Sequence, residues 1–378
     1  MKIAAVICEY NPFHNGHKYQ IEKAREKTGC DAVVALMSGS FVQRGDFAIF
    51  DKLTRADVAL SGGIDLVIEN PTTFVLRSAE GYADAAVKIL SSLGCIDYLF
   101  FGAEHDCLED LQRIAELLAT ENAEFKKLLT EYMANGVSFP RARAIAVLDI
   151  LGKEAEEILR EPNNLLAIEY LKAIIRQNSN LEPVLIQRTC ADHHSMTPNG
   201  AFASATYIRE EILKGNSDAL KLVPKEAEEA YCKSVPFSNF TAEKAIMAAI
   251  CLMPKEKLKM TPDISEGLEN KIKDAVMHCE SLDKLHESVK SKRYAYSRVR
   301  RAILCAFLGI TEDDAKLSPQ YIKSLAFNSI GQEVLNIAKK KASLPIAKNA
   351  RAILKDADAM SIWRRELEFD RIYELLKK

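Results

Sequence analysis

The chain has 378 residues, of which 48% are hydrophobic and 28% charged, with a formal net charge of -2. A chain of this length holds two or three domains and buries a sizeable core. Its charge balance excludes a globally basic protein, so a nucleic-acid surface has to be a local patch. Nine cysteines, none in a Cys-x-x-Cys pair, give neither a disulfide framework nor a zinc site and fit a reducing, cytoplasmic setting. The N-terminal apolar run is too short for a signal peptide or a membrane span.

Ile3 to Cys8 reads as a buried strand, and Glu9-Tyr10-Asn11-Pro12-Phe13 as a tight polar turn. His14-Asn15-Gly16-His17 then opens a helix that runs to Thr28 and stops at Gly29. A strand that feeds straight into a helix start is where open α/β sheets place phosphates. Histidines three apart on the first turn share a face, and Gly16 lets a ligand approach the backbone. The bland reading is a surface turn with two solvated histidines.

Asp31 to Met37 is the second strand, followed by the polar loop Ser38 to Gly45, in which Arg44 is either a phosphate contact or an ordinary loop arginine. Phe50 to Ser61 reads as a helix and Asp65 to Glu69 as the third strand, ended by Pro71. Ser78 to Ser91 is an amphipathic helix, and Cys95 to Phe101 is the fourth strand, closed by Gly102. Cys107 to Asn135 and Pro140 to Leu151 are helical, and Asn163 stands at the start of another helix. Pro183 to Gln187 is the fifth strand, ending in Arg188. The loop beyond it carries Asp192-His193-His194, which is weak as a metal site because adjacent loop residues rarely ligate one ion without further partners. No metal site is expected.

Ser204-Ala205-Thr206-Tyr207-Ile208-Arg209 is the second informative stretch. Hydroxyls and free N–H groups at a helix start, with Arg209 close by, make a phosphate cradle, and ordinary capping by Ser204 is compatible with it. From 216 onward no βαβ unit is evident, and helices are expected over Glu226 to Cys232, Ala242 to Met253, Leu268 to Cys279, Leu282 to Ser291, Ser297 to Leu308, Pro319 to Ala326 and Met360 to Leu376. The fold class is therefore α/β: a Rossmann-like parallel-sheet domain over 1–215, then an α-helical domain over 216–378. Within the second lies Lys290 to Arg301, with six basic residues, no acid and two tyrosines in twelve positions. That composition suits phosphate contacts and base stacking by Lys292, Arg293, Tyr294, Arg298 and Arg301, against a solvated helix face as the alternative. Lys339-Lys340-Lys341 is a weaker patch.

Asn11 to His17 resembles the signature of the nucleotidyltransferase superfamily that shares its catalytic core with class I aminoacyl-tRNA synthetases. With Met37-Ser38-Gly39, Phe41, Gln43-Arg44-Gly45, Phe100-Phe101-Gly102, Pro162-Asn163-Asn164, Ser204-Ala205-Thr206, Ile208-Arg209 and Lys292-Arg293-Tyr294, the chain is similar to the tRNA(Met) cytidine acetate ligase family. Phe47 and Asn70 stand where proline and leucine are expected in relatives. The resemblance implies an ATP-dependent ligase that activates acetate as acetyl-adenylate and acetylates N4 of the wobble cytidine of elongator tRNA(Met). It implies His14, His17, Ser204, Thr206 and Arg209 as catalytic residues. Ile7, Cys8, Glu9, Tyr10, Asn11, Pro12, Phe13, His14, Asn15, Gly16 and His17, with Gly102, Asn163 and Arg188, would line the ATP site, and Mg²⁺ would accompany the phosphates. The alternatives are a small-molecule adenylyltransferase acting on a cofactor precursor and a non-catalytic RNA-binding protein.

Overall fold

The structure is a computed structural model that describes residues 1–188, 202–291 and 293–377. In chain order the first part runs β1 (Ile3–Cys8), α1 (Asn15–Thr28), β2 (Ala32–Ser38), β3 (Phe41–Val42), β4 (Asp46–Phe47), α2 (Lys52–Ser61), β5 (Leu66–Asn70), α3 (Thr72–Val75), α4 (Ala79–Ser92) and β6 (Tyr98–Ala103). There follow α5 (Leu108–Thr120), α6 (Ala123–Ala134), α7 (Phe139–Leu151), α8 (Lys153–Ile158), α9 (Pro162–Arg176), β7 (Glu182–Gln187) and α10 (Ala205–Leu213). The remainder is α11 (Lys225–Lys233), α12 (Asn239–Leu252), α13 (Lys255–Lys259), α14 (Leu268–Val276), α15 (Leu282–Val289), α16 (Tyr296–Leu308), α17 (Glu312–Lys316), β8 (Ser324–Phe327), α18 (Ser329–Lys341) and α19 (Ala357–Leu376).

Six strands form one sheet in the order β7-β6-β1-β2-β5-β8, and the first five are parallel. Counting only those five in sequence, the order is that of a Rossmann sheet, with the reversal point between β1 and β6. Both faces are buried. Ile3, Ala5, Ile7, Val34, Leu36, Leu66 and Ile68 pack under α4, α5 and α9, whereas Ala4, Val6, Val33, Ala35 and Val67 pack under α1, α2, α10 and α11. Continuous apolar runs are what strands covered on both sides require. The five expected strands are all present, and the helix expected from Cys107 is split in two at Glu121, which adopts a left-handed conformation.

The chain departs from expectation after α17. Pro319 to Ala326 is not a helix, because Ser324–Phe327 is an edge strand paired antiparallel with β5, Leu66 facing Phe327 and Val67 facing Ala326. Its partner lies more than 250 residues away in sequence, so no local periodicity could show the pairing. Residues well beyond 215 therefore complete the first sheet. Ile322, Val334, Leu335 and Ala338 share its core, while α12, α14, α15 and α16 build a separate apolar cluster around Ile246, Leu268, Leu285 and Ile303.

The last helix is tied to the sheet by buried charge. Glu69, at the end of β5, pairs with Lys52 and with Lys323 at 2.6 Å, and Lys52 also reaches Asp370 on α19. Glu366, on the same helix, accepts both the backbone N–H and the hydroxyl of Thr72 at 2.7 Å. Arg55 is fully buried on α2 and donates to the carbonyls of Glu9, Ser38, Gly39 and Phe50. One guanidinium thus satisfies the chain where it leaves the carboxyl ends of β1 and β2, the edge on which ligands of such sheets bind.

Candidate active site

The turn after β1 is pinned from three sides by later parts of the chain. Asn11 Oδ1 accepts from the Ile49 N–H at 2.8 Å, the Phe13 N–H donates to Tyr231 Oη at 2.9 Å, and Arg209 donates to the Asn11 carbonyl at 2.6 Å. Tyr10, buried and at φ 45°, stacks edge-on between Phe13 and His17. A non-glycine residue in the left-handed region stores strain that its surroundings must hold, as is common at ligand sites.

His14 caps α1 with its own ring: the Gly16 N–H donates to His14 Nδ1 at 3.1 Å, and the His14 N–H donates to His17 Nδ1 at 3.2 Å. The rings stack at 3.7 Å. Since a backbone N–H only donates, both Nδ1 atoms are acceptors, and in the neutral rings the proton sits on Nε2. Two imidazole N–H donors are thereby set side by side at a helix N-terminus. Burial, followed by the neighbouring His14 and Arg188, holds the His17 pKa well below that of an ordinary histidine, so the ring is neutral at physiological pH. Gly16 has a more local role than opening the backbone to a ligand, since a Cβ there would come within 3.0 Å of the His14 ring that folds over it.

The second motif meets the first. Ser204 caps α10 by accepting from the Tyr207 N–H at 3.1 Å, and Arg209, one turn on, reaches both the Asn11 carbonyl and Thr206 Oγ1. Burial holds the Arg209 pKa below the usual guanidinium value, with Asp46, Glu9, Arg44 and Arg300 all within electrostatic reach. Arg209 is thus brought to the turn that leads into His14, and Ser204 and Thr206 share its helix start. Gly102, at the end of β6, faces Arg188, whose Cγ would lie 3.3 Å from an added Cβ. Glu9 fixes the β3–β4 turn by accepting from the Gln43 N–H at 2.9 Å, and burial raises the pKa of the Cys8 thiol.

Asn163 bonds to the Glu104 carboxylate, which also accepts from the Asn164 N–H at 3.0 Å, while Asn164 Oδ1 accepts from the N–H groups of Glu104 and His105 at 2.9 Å each. The pair locks the loop after Gly102. Asn164, Arg55 and Tyr231 were not legible as site-building residues; Asn164 stood beside Asn163 in the sequence, while Arg55 and Tyr231 carry no local signal. Asp192, His193 and His194 lie outside the described residues. Among those described, two groups could hold a metal ion: Glu69, Glu366 and Asp370, of which Glu69 and Asp370 are paired with lysines and Glu366 is bonded to Thr72, and His105, Cys107 and Asp110.

The basic segment is less exposed than its composition suggests. Tyr294 is buried with its hydroxyl donating to the Glu266 carbonyl at 2.7 Å, so it does not offer a ring to an unpaired base. Arg301 is buried and paired with Asp263 at 3.0 Å, which removes it from phosphate contact. Arg298 donates to the Asp263 carbonyl and to Ser265 Oγ, Arg293 stands exposed 3.7 Å from Glu266, and Lys292 lies outside the described residues. Lys339, Lys340 and Lys341 are exposed in the last turn of α18. Among the described residues no helix is long and apolar enough to cross a membrane.

The model of the HIGH Nucleotidyl Transferase family matches residues 1–378. The chain is 36% identical to a tRNA(Met) cytidine acetate ligase of Acetivibrio thermocellus, covering 98% of this chain and 93% of that protein. It is 38% identical to a protein of the same name from Clostridium novyi, over 96% and 93% of the two. Among solved structures it is similar to Thermotoga maritima TmcAL, apo form I, with a TM-score of 0.95 at 30% identity over 100% of this chain and 95% of that one. A second TmcAL structure from the same organism, bound with alpha-thio ATP, superposes with a TM-score of 0.92 at the same identity and coverage.

Proposed function

Since the chain belongs to the tRNA(Met) cytidine acetate ligase family of HIGH nucleotidyltransferases, we propose that it uses ATP to activate acetate and passes the acetyl group to N4 of the wobble cytidine of elongator tRNA(Met). An acetate oxygen attacks the α-phosphorus, the bond to the β-phosphate oxygen breaks and pyrophosphate leaves. The cytidine amine then attacks the acetyl carbonyl, loses a proton and expels AMP. Free acetate has no leaving group for an amine to displace, and adenylation supplies one.

The observation that carries this reading is the meeting of Arg209 with the turn whose two histidines hold Nε2–H donors outward from their capped Nδ1 atoms. Neutral N–H donors and a guanidinium fixed before the reaction stabilise negative charge that develops on the phosphates without having to reorganise. Ser204 and Thr206 at the α10 N-terminus take the outer phosphate oxygens with Arg209. Residues from Ile7 to His17 shape the nucleotide pocket, Gly102 and Arg188 flank its far side, and Asn163 acts through Glu104 by fixing that loop. Mg²⁺ takes oxygen ligands; it would come with ATP, held by the phosphate oxygens beside the Ser204 and Thr206 hydroxyls, and would offset negative charge on the phosphates.

The names of the relatives set aside the small-molecule adenylyltransferase reading. The activation chemistry is tested with acetate carrying oxygen-18: one label per turnover is expected in AMP when acetylated tRNA forms. Product without label in AMP overturns the adenylate route.

A further inference from the structure

The loop that follows Gly102 carries a cluster of three unlike donors. One ligand atom each of His105, Cys107 and Asp110 lies within 4.8 Å of the other two, and all three residues are half-buried. Their spacing explains the meeting. Cys107 is the N-cap of α5 and Asp110 the third residue of that helix, two positions that face each other across the first turn. His105, two residues before the cap, bends back so that its Nε2 stands 2.9 Å from Asp110 Oδ2. The Cys107 thiol donates to Glu109 Oε2 at 3.3 Å and lies beside the Asp110 carboxylate as well. The backbone beneath is held in place, because Asn164, 2% exposed, accepts from the N–H groups of Glu104 and His105 at 2.9 Å each.

Charge, size and donor type decide what such a cluster takes. Glu69, Glu366 and Asp370, the other close group, already have Lys52 and Lys323 as their cations. Here the basic neighbour is Arg113, 66% exposed and 4.0 Å from Asp110 Oδ1, the distance of a weak surface pair. A tetrahedral Zn²⁺ with bonds of about 2.0–2.3 Å sets its ligand atoms roughly 3.4–3.6 Å apart, so side-chain rotations that move these atoms by about 1 Å bring all three into its shell. A nitrogen, a sulfur and a carboxylate oxygen suit borderline-soft ions such as Zn²⁺ and Co²⁺, whereas Mg²⁺ and Ca²⁺ take oxygen. Thiolate and carboxylate together offset the charge of the dication, and the exposed Glu109 beside them keeps the positive end of α5 from being opposed by a net positive site.

We propose that His105 Nε2, Cys107 Sγ and Asp110 bind a Zn²⁺ ion, with the fourth position open to solvent, and that the ion clamps the loop after Gly102 to the start of α5. On binding, the thiol gives its proton to solvent and its sulfur bonds the metal, while the neutral imidazole carries its one proton on Nδ1 and ligates through Nε2. The direct His105–Asp110 hydrogen bond is thereby replaced by two bonds to the ion. The site is separate from the histidine turn after β1 and does not depend on the ligase reading.

The test uses the full chain, stripped of metal by a chelator, kept reduced, and titrated with Co²⁺ and then with Zn²⁺. One Co²⁺ per chain is expected, with the near-ultraviolet charge-transfer absorption of a thiolate–cobalt bond, which Zn²⁺ then displaces; Zn²⁺ should also raise the melting temperature by binding the native state. Cys107→Ser should abolish the absorption, and His105→Gln and Asp110→Asn should each weaken Zn²⁺ binding at least about tenfold. The three positions lie outside the buried core, so the metal-free melting temperatures of the variants should stay close to that of the wild type; should one variant misfold, the other two still decide. No absorption in the wild type, or absorption that survives Cys107→Ser, overturns the site. Zn²⁺ binding at wild-type strength in both His105→Gln and Asp110→Asn also overturns it, because the thiol would then hold the ion without the cluster.

Discussion

The β1–α1 turn and the Lys290–Arg301 segment are both dense in side chains that attract phosphate, yet the fold treats them in opposite ways. In the turn, the hydrogen bonds of Arg209 to Asn11 and Thr206 go to neutral oxygens, and the Nδ1 atoms of His14 and His17 accept from backbone N–H groups. In the segment, Arg300 faces Asp46, Arg301 faces Asp263 and Arg293 faces Glu266. The difference teaches that a run of basic residues marks a binding surface only where the chain has not supplied the counter-charge itself.

The strongest way to break that comparison is at His17. Replacing it with Ala removes one preorganised donor, and tRNA acetylation should fall about a hundredfold or more with the melting temperature nearly unchanged. Because the Nε2–H is the proposed working group, His17→Gln, which can offer an amide N–H, should recover part of the loss. Wild-type turnover in the Ala variant would take His17 out of the mechanism.

The two regions were also unequally legible in the sequence. At the turn, strand, helix start and glycine are neighbours in the chain, so the spacing alone fixes which side chains meet; even the link to Arg209 followed from a second motif at a second helix start. What the sequence did not show are contacts whose partners are remote. Arg55 reads as one more cation on a helix until it is seen buried under four carbonyls, and β8 looks helical until β5 lies beside it. Asp263, which neutralises Arg301, stands 38 residues upstream, beyond any pattern in the basic run. Composition could count the charges there but not their partners.

A medium effect sharpens the comparison at α19, where the chain also supplies its own counter-charges, with one exception. Burial and then the neighbouring Glu69 push the Glu366 pKa up from 4.5 to about 7, while lysines hold the Glu69 pKa down. Between those two pH values the native state keeps a proton on Glu366 that the unfolded chain has lost, so stability falls as pH rises from about 4.5 to 7 and is level above. Glu69 acts oppositely, adding stability above its ordinary value that is lost in acid. Glu366→Gln can still accept from the Thr72 N–H and donate to its hydroxyl, so it should flatten the decline and raise stability above pH 7 by on the order of 1–3 kcal/mol. Urea unfolding across pH 4–8 reads it, and an unchanged slope would mean that Glu366 is ionised throughout.

The smallest effect is the most discriminating, because it divides the basic segment residue by residue. Arg301 and Arg298 are spent on Asp263 and Ser265, so their replacement with Ala should first cost stability, roughly 1.5–3 kcal/mol for the buried charged bonds of Arg301. Arg293 is exposed, and its distance of 3.7 Å from Glu266 is that of a weak surface pair. Arg293→Ala should therefore leave unfolding unchanged. If Arg293 meets a phosphate when tRNA binds, the same change should reduce the slope of log affinity against log salt by about one unit or less, equally for all tRNA sequences, and leave ATP binding as it was. Filter binding over a salt series decides between the two. An unaltered slope with normal stability would mean that Glu266 cancels Arg293 as fully as Asp263 cancels Arg301, and the tRNA surface would then have to be sought elsewhere, first at the exposed Lys339, Lys340 and Lys341.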